Sequence, residues 1–294
     1  MVKVLITGCN GQVGSCLVKQ LSTCPEIEFL AVDRDQLDIT SEQEVIKTVN
    51  DFMPNIIINA AAHTAVDKAE NEVELSYAIN RDGPKYLAQA AERVGAAILH
   101  ISTDYVFAGD KDGLYSESDT VNPQGVYGES KLAGEEAVIN ACSRHIILRT
   151  AWVFGEDGNN FVKTMLRLAQ QRDSLDIVAD QFGGPTYAGD IAKALIKIAK
   201  AITNSKNEFN SDNYGIYHFS GMPHVSWYEF AQVIFDKAIE QNVLIKSPDV
   251  KGIKTEQYPT PAKRPMNSKL NTKKIMTIFN ISASDWKLKL LNVF

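Results

Sequence analysis

Short apolar runs alternate with amphipathic segments along the first half of the chain. The first run, residues 2–7, is apolar and β-branched, and it leads through a glycine-rich turn into a segment with apolar residues at helical spacing. Similar apolar runs recur at 27–33, 54–59, 97–102 and 145–150. Strands that alternate with helical segments are typical of βαβ units in a parallel sheet. We therefore predict an α/β fold built on a Rossmann-type doubly wound parallel sheet.

Composition places the chain among ordinary globular proteins. Its 294 residues are 45% hydrophobic, which is enough for a sizeable core. The net charge is -6 with acidic and basic residues interspersed, so no nucleic-acid partner is expected. We find no run of bilayer-spanning length and no signal segment, so no membrane partner is expected either. The four cysteines, at 9, 16, 24 and 142, lack metal-site spacing and favour a reducing compartment, which predicts a cytoplasmic protein.

The turn after the first apolar run carries three glycines, Gly8, Gly11 and Gly14. In a strand-turn-helix unit the first glycine allows the tight turn, and the second lets the backbone approach a pyrophosphate. The third lets the helix pack closely on the strand, and the helix N-terminus then offers amides to an anion. The motif stands in the required context, so it predicts a dinucleotide site.

Two charged residues at the end of the second apolar run bear on the choice of dinucleotide. Asp33 lies about twenty residues after the glycines, where a carboxylate accepts the adenosine ribose hydroxyls of NAD. Arg34 follows directly and is suited to a 2′-phosphate, so the expected cofactor is NADPH or NADH. Asp38 and Ile39 are candidate adenine contacts, although a loop that leads into a helix explains them almost as well.

The second half of the chain has a less regular pattern. Helical periodicity recurs at 159–172, 191–201 and 226–239, with short apolar runs between these segments. We expect residues 1–152 to form an NAD(P)-binding Rossmann domain. Residues 153–294 are expected to form a smaller, mainly substrate-binding region, with some elements that return to the main sheet.

Tyr127 and Lys131 are four residues apart, a spacing that places both side chains on one face of a helix. A nearby cation stabilises a tyrosinate, so Lys131 is expected to lower the pKa of the phenol and make it a better proton donor to an alkoxide. Thr103 closes the fourth apolar run, and at the carboxyl end of a parallel strand its hydroxyl can hydrogen-bond a substrate carbonyl. Arg264, in a proline-rich segment, is either a diphosphate clamp or a solvated surface residue.

The order of these motifs resembles the extended short-chain dehydrogenase/reductases that act on nucleotide sugars. Further blocks resemble one family within that group, the dTDP-4-dehydrorhamnose reductases. These blocks begin at Asn59, Ser102, Asn159, Asp180, Pro259 and Arg264. They run along nearly the whole chain, and the last of them is specific to the family.

The resemblance implies reduction of the C4 ketone of dTDP-4-dehydro-β-L-rhamnose by a nicotinamide hydride. Tyr127 would protonate the C4 oxygen, Lys131 would hold the nicotinamide ribose, and Thr103 would bond the reacting oxygen or tune the tyrosine. The implied cofactor contacts are Gly11, Gln12, Val13, Asp33, Asp38, Ile39, Ala62, His63 and Thr64, together with Tyr127 and Lys131. The implied contacts of the dTDP-sugar partner are Thr103, Asp104, Tyr105, Trp152 and Arg264.

The resemblance also leaves alternatives open. Some family members form dimers around magnesium held by a glutamate beside the third glycine, but this chain has Ser15 and Cys16 there, so no metal is expected and a homodimer stays open. A related 4,6-dehydratase needs an Asp-Glu pair after the threonine, whereas this chain has Asp104 and Tyr105. A nucleotide-sugar 4-epimerase, or a binding subunit like the regulatory subunit of methionine adenosyltransferase, is compatible with the same fold.

Overall fold

Six parallel strands form the main sheet in a computed structural model that describes residues 1–204 and 209–294. The strands are β1 (Val2–Thr7), β2 (Ile27–Val32), β3 (Ile56–Asn59), β4 (Ala97–Thr103), β5 (His145–Thr150), β6 (Val153–Phe154), β7 (Ser174–Val178), β8 (Phe182–Gly183), β9 (Thr186–Tyr187), β10 (Gly215–His218), β11 (Gly221–Met222), β12 (Val225–Ser226), β13 (Asp249–Ile253), β14 (Asn267–Ser268) and β15 (Ser284–Asp285). The helices are α1 (Gln12–Leu21), α2 (Glu42–Phe52), α3 (Val66–Ala69), α4 (Val73–Tyr77), α5 (Gly83–Val94), α6 (Val126–Ala141), α7 (Phe161–Ala169), α8 (Ala188–Thr203), α9 (Trp227–Glu240), α10 (Lys273–Phe279) and α11 (Trp286–Lys289).

The main sheet has the strand order β10-β5-β4-β3-β1-β2. The chain starts at β1, adds β2 on one side, and then adds β3, β4 and β5 on the other side. The direction of winding therefore reverses between β1 and β3, and in open α/β sheets ligands bind at the carboxyl ends of the strands beside such a switch point. This arrangement confirms the predicted α/β fold with a doubly wound parallel sheet.

Helices cover both faces of this sheet, which explains why its strands are apolar along their length. All four residues of β3 are buried. One face packs against α1, α8 and α10, and the other packs against α2, α5 and α6. Burial of apolar surface on two faces is the main stabilising term of such a layered fold.

The second half of the chain divides between two cores. β10 is the edge strand beside β5, and α8 packs against α1, so these elements belong to the main sheet and its layers. A separate core lies between α7, α9, α11 and the paired strands β7 and β13, and it contains the fully buried Phe230 and Trp286. The helices found at 161–169, 188–203 and 227–240 overlap the three segments expected from periodicity.

The segment from 66 to 94 is more broken than its polar, helical pattern predicts. After the short helices α3 and α4, residues Ala78–Asp82 form a π-helical turn, and α5 starts directly after it at Gly83. Pro84 lies in the first turn of α5, directly after the π-helical turn. π-helical turns are frequent at functional sites, and this one carries the buried Asn80.

Within the described part of the chain, no helix is both long enough and apolar enough to cross a membrane.

Candidate active site

The glycine turn forms a cradle at the switch point of the sheet. Gly8 has a φ of +69°, and a Cβ there would lie 2.6 Å from the backbone nitrogen of Ala61, just after β3. A Cβ on Gly14 would lie 2.0 Å from the carbonyl oxygen of Gly8. Gly11 is the N-cap of α1 and has no side chain to pair the first amides of the helix. The turn therefore fits the pyrophosphate of a dinucleotide, as its spacing predicts.

Asp33 is held beside this turn by backbone amides. Its Oδ2 accepts a hydrogen bond from the Asn10 N–H at 3.0 Å, and its Oδ1 accepts one from the Arg34 N–H at 2.7 Å. The carboxylate keeps further lone pairs for ribose hydroxyls. The Arg34 side chain is exposed next to it. The structure thus brings together a group suited to NAD and a group suited to NADP.

Asp38 and Ile39 occupy the loop that leads into α2. The Asp38 carboxylate accepts hydrogen bonds from the Thr40 hydroxyl at 2.7 Å and the Thr40 N–H at 2.9 Å, and these bonds lower the pKa of Asp38. The Ile39 side chain is buried, and a Cβ on Gly83 would lie 2.6 Å from it. Both side chains have structural partners here, and their contact with an adenine stays a prediction.

Ala62, His63 and Thr64 form the loop after β3. The His63 N–H donates to the Asn80 side-chain oxygen at 2.8 Å, so the π-helical turn fixes this loop. The imidazole faces α4, with Nδ1 3.0 Å from the Ser76 hydroxyl and Nε2 3.0 Å from the Glu72 carboxylate. The imidazole is therefore held by α4 and the residue before it, and contact of this loop with a dinucleotide stays a prediction.

Gln12 and Val13 point in opposite directions from the first turn of α1. Val13 is buried in the core under the sheet. Gln12 reaches the second half of the chain, where its Oε1 accepts a hydrogen bond from the Asn160 amide at 3.1 Å. Asn160 is also the N-cap of α7, since its side-chain oxygen accepts from the Lys163 N–H. This bond joins the glycine turn to the first turn of α7.

Thr103 and Tyr127 meet at the carboxyl end of β4. Thr103 is buried, and its hydroxyl donates to Asp104 Oδ1 at 3.0 Å and accepts from the Tyr105 N–H at 3.2 Å. Burial raises the pKa of the Tyr127 phenol, and the neighbouring Thr103 hydroxyl opposes that rise. The Tyr105 ring packs edge-to-face on Tyr127, with 5.3 Å between the ring centroids. The structure thus places a candidate proton donor beside a hydroxyl group in a largely desolvated corner.

Lys131 lies one turn after Tyr127 on α6, as the spacing predicts, but its ammonium is directed toward β4. Its Nζ donates to the Ile101 carbonyl at 2.7 Å and lies 3.4 Å from His100 Nε2. Burial lowers the pKa of Lys131 to about 8, while the Glu135 carboxylate acts in the opposite direction. The prediction that Lys131 lowers the pKa of Tyr127 is wrong for this structure, because burial dominates the phenol and raises its pKa.

Asp104 is a carboxyl group enclosed by the site. It is 3% exposed, and this burial raises its pKa to about 6, while the neighbouring Ser268 and Thr103 hydroxyls act in the opposite direction. Ser268 belongs to β14 in the second half of the chain. Asp104 therefore lies where the two halves meet, directly beside the candidate proton donor.

Tyr105 and Arg264 form a second contact between the halves. The Arg264 guanidinium donates to the Tyr105 phenol oxygen at 3.2 Å and to Asp67 Oδ2 at 2.7 Å. Burial raises the pKa of Tyr105 to about 12. Because the Arg264 side chain is only 30% exposed and doubly bonded, it is not a solvated surface residue. Arg264 also lines a cavity of about 660 Å³ in the second half of the chain.

Trp152 and Trp227 pack against each other beside this cavity. Trp152 has a φ of +51°, a strained conformation for a bulky residue. Its ring stacks on Trp227 with 3.4 Å between centroids, and a Cβ on Gly183 would lie 2.5 Å from the Trp152 ring. Trp227 lines the cavity together with Phe161 and Arg264. Close packing on both sides thus holds Trp152 in place.

Sequence reasoning missed several of these residues. Asn80, Asn160, Trp227 and Ser268 join the predicted site residues to one another. Trp227 reads as a packing residue from its apolar surroundings in the sequence. A buried asparagine in a polar helical segment carries no local signal, because its role arises from partners distant in the chain.

The part of the chain that the structure describes contains no group of three or more His, Cys, Asp or Glu side chains placed to hold a metal ion. The expectation that no metal takes part stays a prediction.

Comparison with known proteins agrees with this architecture along the whole chain. Residues 2–294 match the family described as the RmlD substrate binding domain. A dTDP-4-dehydrorhamnose reductase from Aggregatibacter actinomycetemcomitans is 53% identical over 293 residues, which cover 100% of this chain and 98% of that protein.

Two solved structures extend the likeness to three dimensions. A dTDP-4-dehydrorhamnose reductase from Clostridium acetobutylicum is 42% identical with a TM-score of 0.89, over 99% of this chain and 97% of that chain. The enzyme of the same name from Bacillus anthracis, solved in complex with NADP, is 37% identical with a TM-score of 0.90, over 100% and 99% of the two chains. The chain therefore belongs to the dTDP-4-dehydrorhamnose reductase family.

Proposed function

We propose that this chain reduces the C4 ketone of dTDP-4-dehydro-β-L-rhamnose to dTDP-L-rhamnose with NADPH or NADH, as the last step of dTDP-rhamnose biosynthesis. The observation that carries the proposal is that Tyr127 packs on Tyr105, just after the buried Thr103 that ends β4, at the same sheet edge as the glycine cradle. A proton donor and a dinucleotide site at one edge are the two requirements of a carbonyl reductase.

The dinucleotide supplies the hydride when it is bound. We assign its pyrophosphate to the amides after Gly11 and its adenosine ribose to Asp33, with Arg34 beside a 2′-phosphate. The loop containing Ala62 borders the same cradle. Lys131 is assigned to the nicotinamide ribose, since an ammonium group offers three donors to hydroxyl oxygens.

Proton transfer is assigned to Tyr127. As negative charge develops on the C4 oxygen, the phenol donates its proton and becomes a phenolate. Thr103 has one hydroxyl hydrogen, which lies toward Asp104 in this structure and can turn toward the phenolate once the proton has left. Because the pKa of the phenol is raised, Tyr127 is protonated at neutral pH and keeps its proton until the alkoxide forms.

The second half of the chain is assigned to the nucleotide sugar. The cavity of about 660 Å³ combines aromatic and aliphatic walls with Gln181 and Arg264, a mixture suited to a pyrimidine nucleoside and its phosphates. Arg264 would hold a phosphate, and Trp152 would face the sugar, with Asp104 and Tyr105 between them. On this basis we propose residues 1–152 as the dinucleotide-binding domain and 153–294 as mainly substrate-binding.

The surroundings of Thr103 favour reduction over dehydration. The residues that follow it are Asp104 and Tyr105, and Tyr105 is committed to the Arg264 guanidinium. A dehydratase needs a second acid-base group in that place to expel a hydroxyl. All four cysteines are free thiols, which supports a cytoplasmic enzyme, and a homodimer stays a prediction.

The test is the consumption of NADPH or NADH by the purified protein, with the keto sugar formed in the cuvette by the preceding biosynthetic enzymes. We expect consumption that requires both this protein and the sugar. Protein that binds dinucleotide but consumes none would refute the proposal. In that case, conversion of a dTDP-hexose to its C4 epimer would assign the fold to an epimerase.

A further inference from the structure

His100 is a buried histidine behind the catalytic edge, outside the roles assigned above. It lies on β4, is 0% exposed, and is in register with Asn59 of the neighbouring strand β3. Its Nδ1 is 2.9 Å from Asn59 Nδ2, and its Nε2 is 3.4 Å from Lys131 Nζ. The imidazole therefore bridges a buried amide and the lysine of the site.

The hydrogen bonds of Asn59 fix the tautomer of this imidazole. Asn59 Oδ1 accepts from the Ala61 N–H at 3.2 Å and from the Thr7 hydroxyl at 2.7 Å. Because a backbone N–H can only donate, Oδ1 must face Ala61, and the NH₂ group must face His100. His100 Nδ1 then accepts, and a neutral ring carries its proton on Nε2. Burial, together with the Lys131 charge, lowers the pKa of His100 well below its usual value, so the ring is neutral.

An N–H on Nε2 that faces Lys131 favours an uncharged amine at Nζ, since an amine can accept this hydrogen and an ammonium cannot. The Glu135 carboxylate, one turn further along α6, favours the ammonium form of Lys131. It is already paired with the Arg149 guanidinium of β5. Tyr127 is the remaining titratable neighbour on the helix. Lys131 is thus held between a carbonyl that favours the ammonium and an imidazole N–H that opposes it.

The same chain of contacts excludes His100 as a route for protons. Beyond the imidazole come the Asn59 amide and the Thr7 hydroxyl, and both are buried. A carboxamide does not pass protons on, so a proton taken by His100 has nowhere to go. The remaining role is to hold and tune its neighbour.

We propose that His100 is a positioning residue for Lys131, locked by Asn59 as the Nε2–H tautomer, which holds Nζ against β4 and biases it toward the amine. The role of Lys131 in binding the dinucleotide rests on the proposed function, whereas the tautomer does not. In this scheme the ammonium form binds the ribose, so His100 sets the pH above which dinucleotide affinity falls.

The first experiment measures NADH binding by fluorescence across neutral to alkaline pH, because NADH has no 2′-phosphate that titrates there. In Asn59→Asp the new carboxylate accepts from Ala61, Thr7 and His100 Nδ1–H together, so Nε2 turns from donor to acceptor. We expect the pH at which affinity falls to rise by about one unit or more. His100→Gln keeps an acceptor for the Asn59 amide and a donor toward Lys131. In this variant we expect the pH at which NADH affinity falls to stay at the wild-type value.

An unmoved pH dependence in Asn59→Asp, or an equal rise in His100→Gln, would overturn the proposal. So would an equal rise in the double variant Asn59→Asp/His100→Gln, in which the new carboxylate can act on Lys131 only through its charge and not through the imidazole. A second measurement covers an Asn59→Asp protein that does not fold. In wild-type protein with ¹⁵N-labelled histidine, the ring shifts of His100, assigned by their loss in His100→Gln, should show a bare Nδ1 and a protonated Nε2. The opposite tautomer, or a charged ring at neutral pH, would refute the proposal even if the protein is not a reductase.

Discussion

Thr103 has a single hydroxyl hydrogen, and the Asp104 carboxylate and the Tyr127 phenol both lie beside it. In this structure the hydrogen lies toward Asp104 Oδ1 at 3.0 Å. While this hydrogen lies toward Asp104 it cannot stabilise a Tyr127 phenolate, and it must turn toward the phenol oxygen to oppose the rise of the Tyr127 pKa. At the residue scale, the site therefore works through the direction of one hydroxyl hydrogen, with Asp104 as the group that sets it.

Removing the phenol hydroxyl with Tyr127→Phe tests the proton donor directly. The ring keeps its edge-to-face contact with Tyr105, so the shape of the site is retained. General acid catalysis is worth ~10²–10⁴-fold, and we expect kcat to fall by that factor while NADH affinity changes little. The measurement is steady-state reduction of the keto sugar. A loss of less than tenfold would rule out Tyr127 as the donor.

The buried carboxyl of Asp104 makes stability depend on pH. Its pKa in the folded protein is about 6, above the unfolded value of 3.8, so the folded state binds the extra proton between these pH values. Stability contributed by this group is greatest at low pH and is lost as pH rises toward 6, by about 2–3 kcal/mol in total. Asp104→Asn has no such proton to lose.

Urea unfolding of the wild type and Asp104→Asn at a series of pH values gives the difference directly, since the other carboxylates are common to both. We expect the free energy of unfolding of the wild type to fall relative to the variant as pH rises from about 4 to 6. A difference that is constant with pH would show that Asp104 titrates normally.

At the scale of elements, α6 depends on close contact with its neighbours. A Cβ on Gly134 would lie 2.0 Å from the Asn80 carbonyl oxygen in the π-helical turn, and a Cβ on Gly128 would lie 2.3 Å from the Tyr105 carbonyl oxygen. Ser130, on the same face, accepts a hydrogen bond from the Asn80 side chain at 3.0 Å. The helix that carries Tyr127 is therefore placed by backbone contacts on two sides.

Gly134→Ala should force α6 away from the π-helical turn. Alanine is the better helix former by about 1 kcal/mol, but the clash is with backbone and should outweigh this gain, for a net loss of about 1–3 kcal/mol. The exposed Glu136→Ala in the same helix is the matched control, with a change expected within about 0.5 kcal/mol. Chemical denaturation measures both variants. A Gly134→Ala protein as stable as the control would show that the two elements separate freely.

The same elements show what a sequence does and does not reveal. The glycine turn and the spacing of Tyr127 and Lys131 were predictable because each depends on residues close together in the chain. The direction of the Lys131 ammonium was not, since its partners lie on β4. The left-handed conformation of Trp152 was equally hidden, because it is imposed by packing against Trp227 and Gly183.

At the scale of the molecule, the two halves are joined through their sites as well as their cores. Asp104 meets Ser268, Tyr105 meets Arg264, and Gln12 meets Asn160. The Gln12 contact spans 148 residues and links the dinucleotide turn to α7, whose residues line the cavity assigned to the nucleoside. A dinucleotide that orders the glycine turn should therefore also order α7, which lines the cavity assigned to the nucleoside.

A double-mutant cycle measures this link. Asn160→Ser keeps a hydroxyl to cap α7 but loses the amide that reaches Gln12, whereas Asn160→Ala loses the cap as well and should cost about 1 kcal/mol more in stability. Combined with Gln12→Ala, Asn160→Ser should show a coupling of about 0.5–1.5 kcal/mol in the free energy of NADH binding, the range of one hydrogen bond. Additive effects of the two changes would mean that the turn and α7 respond to ligand independently. A coupling of the same size in the Asn160→Ser and Asn160→Ala series would locate the connection between the halves in this hydrogen bond, because both variants lose the amide and only Asn160→Ala loses the cap.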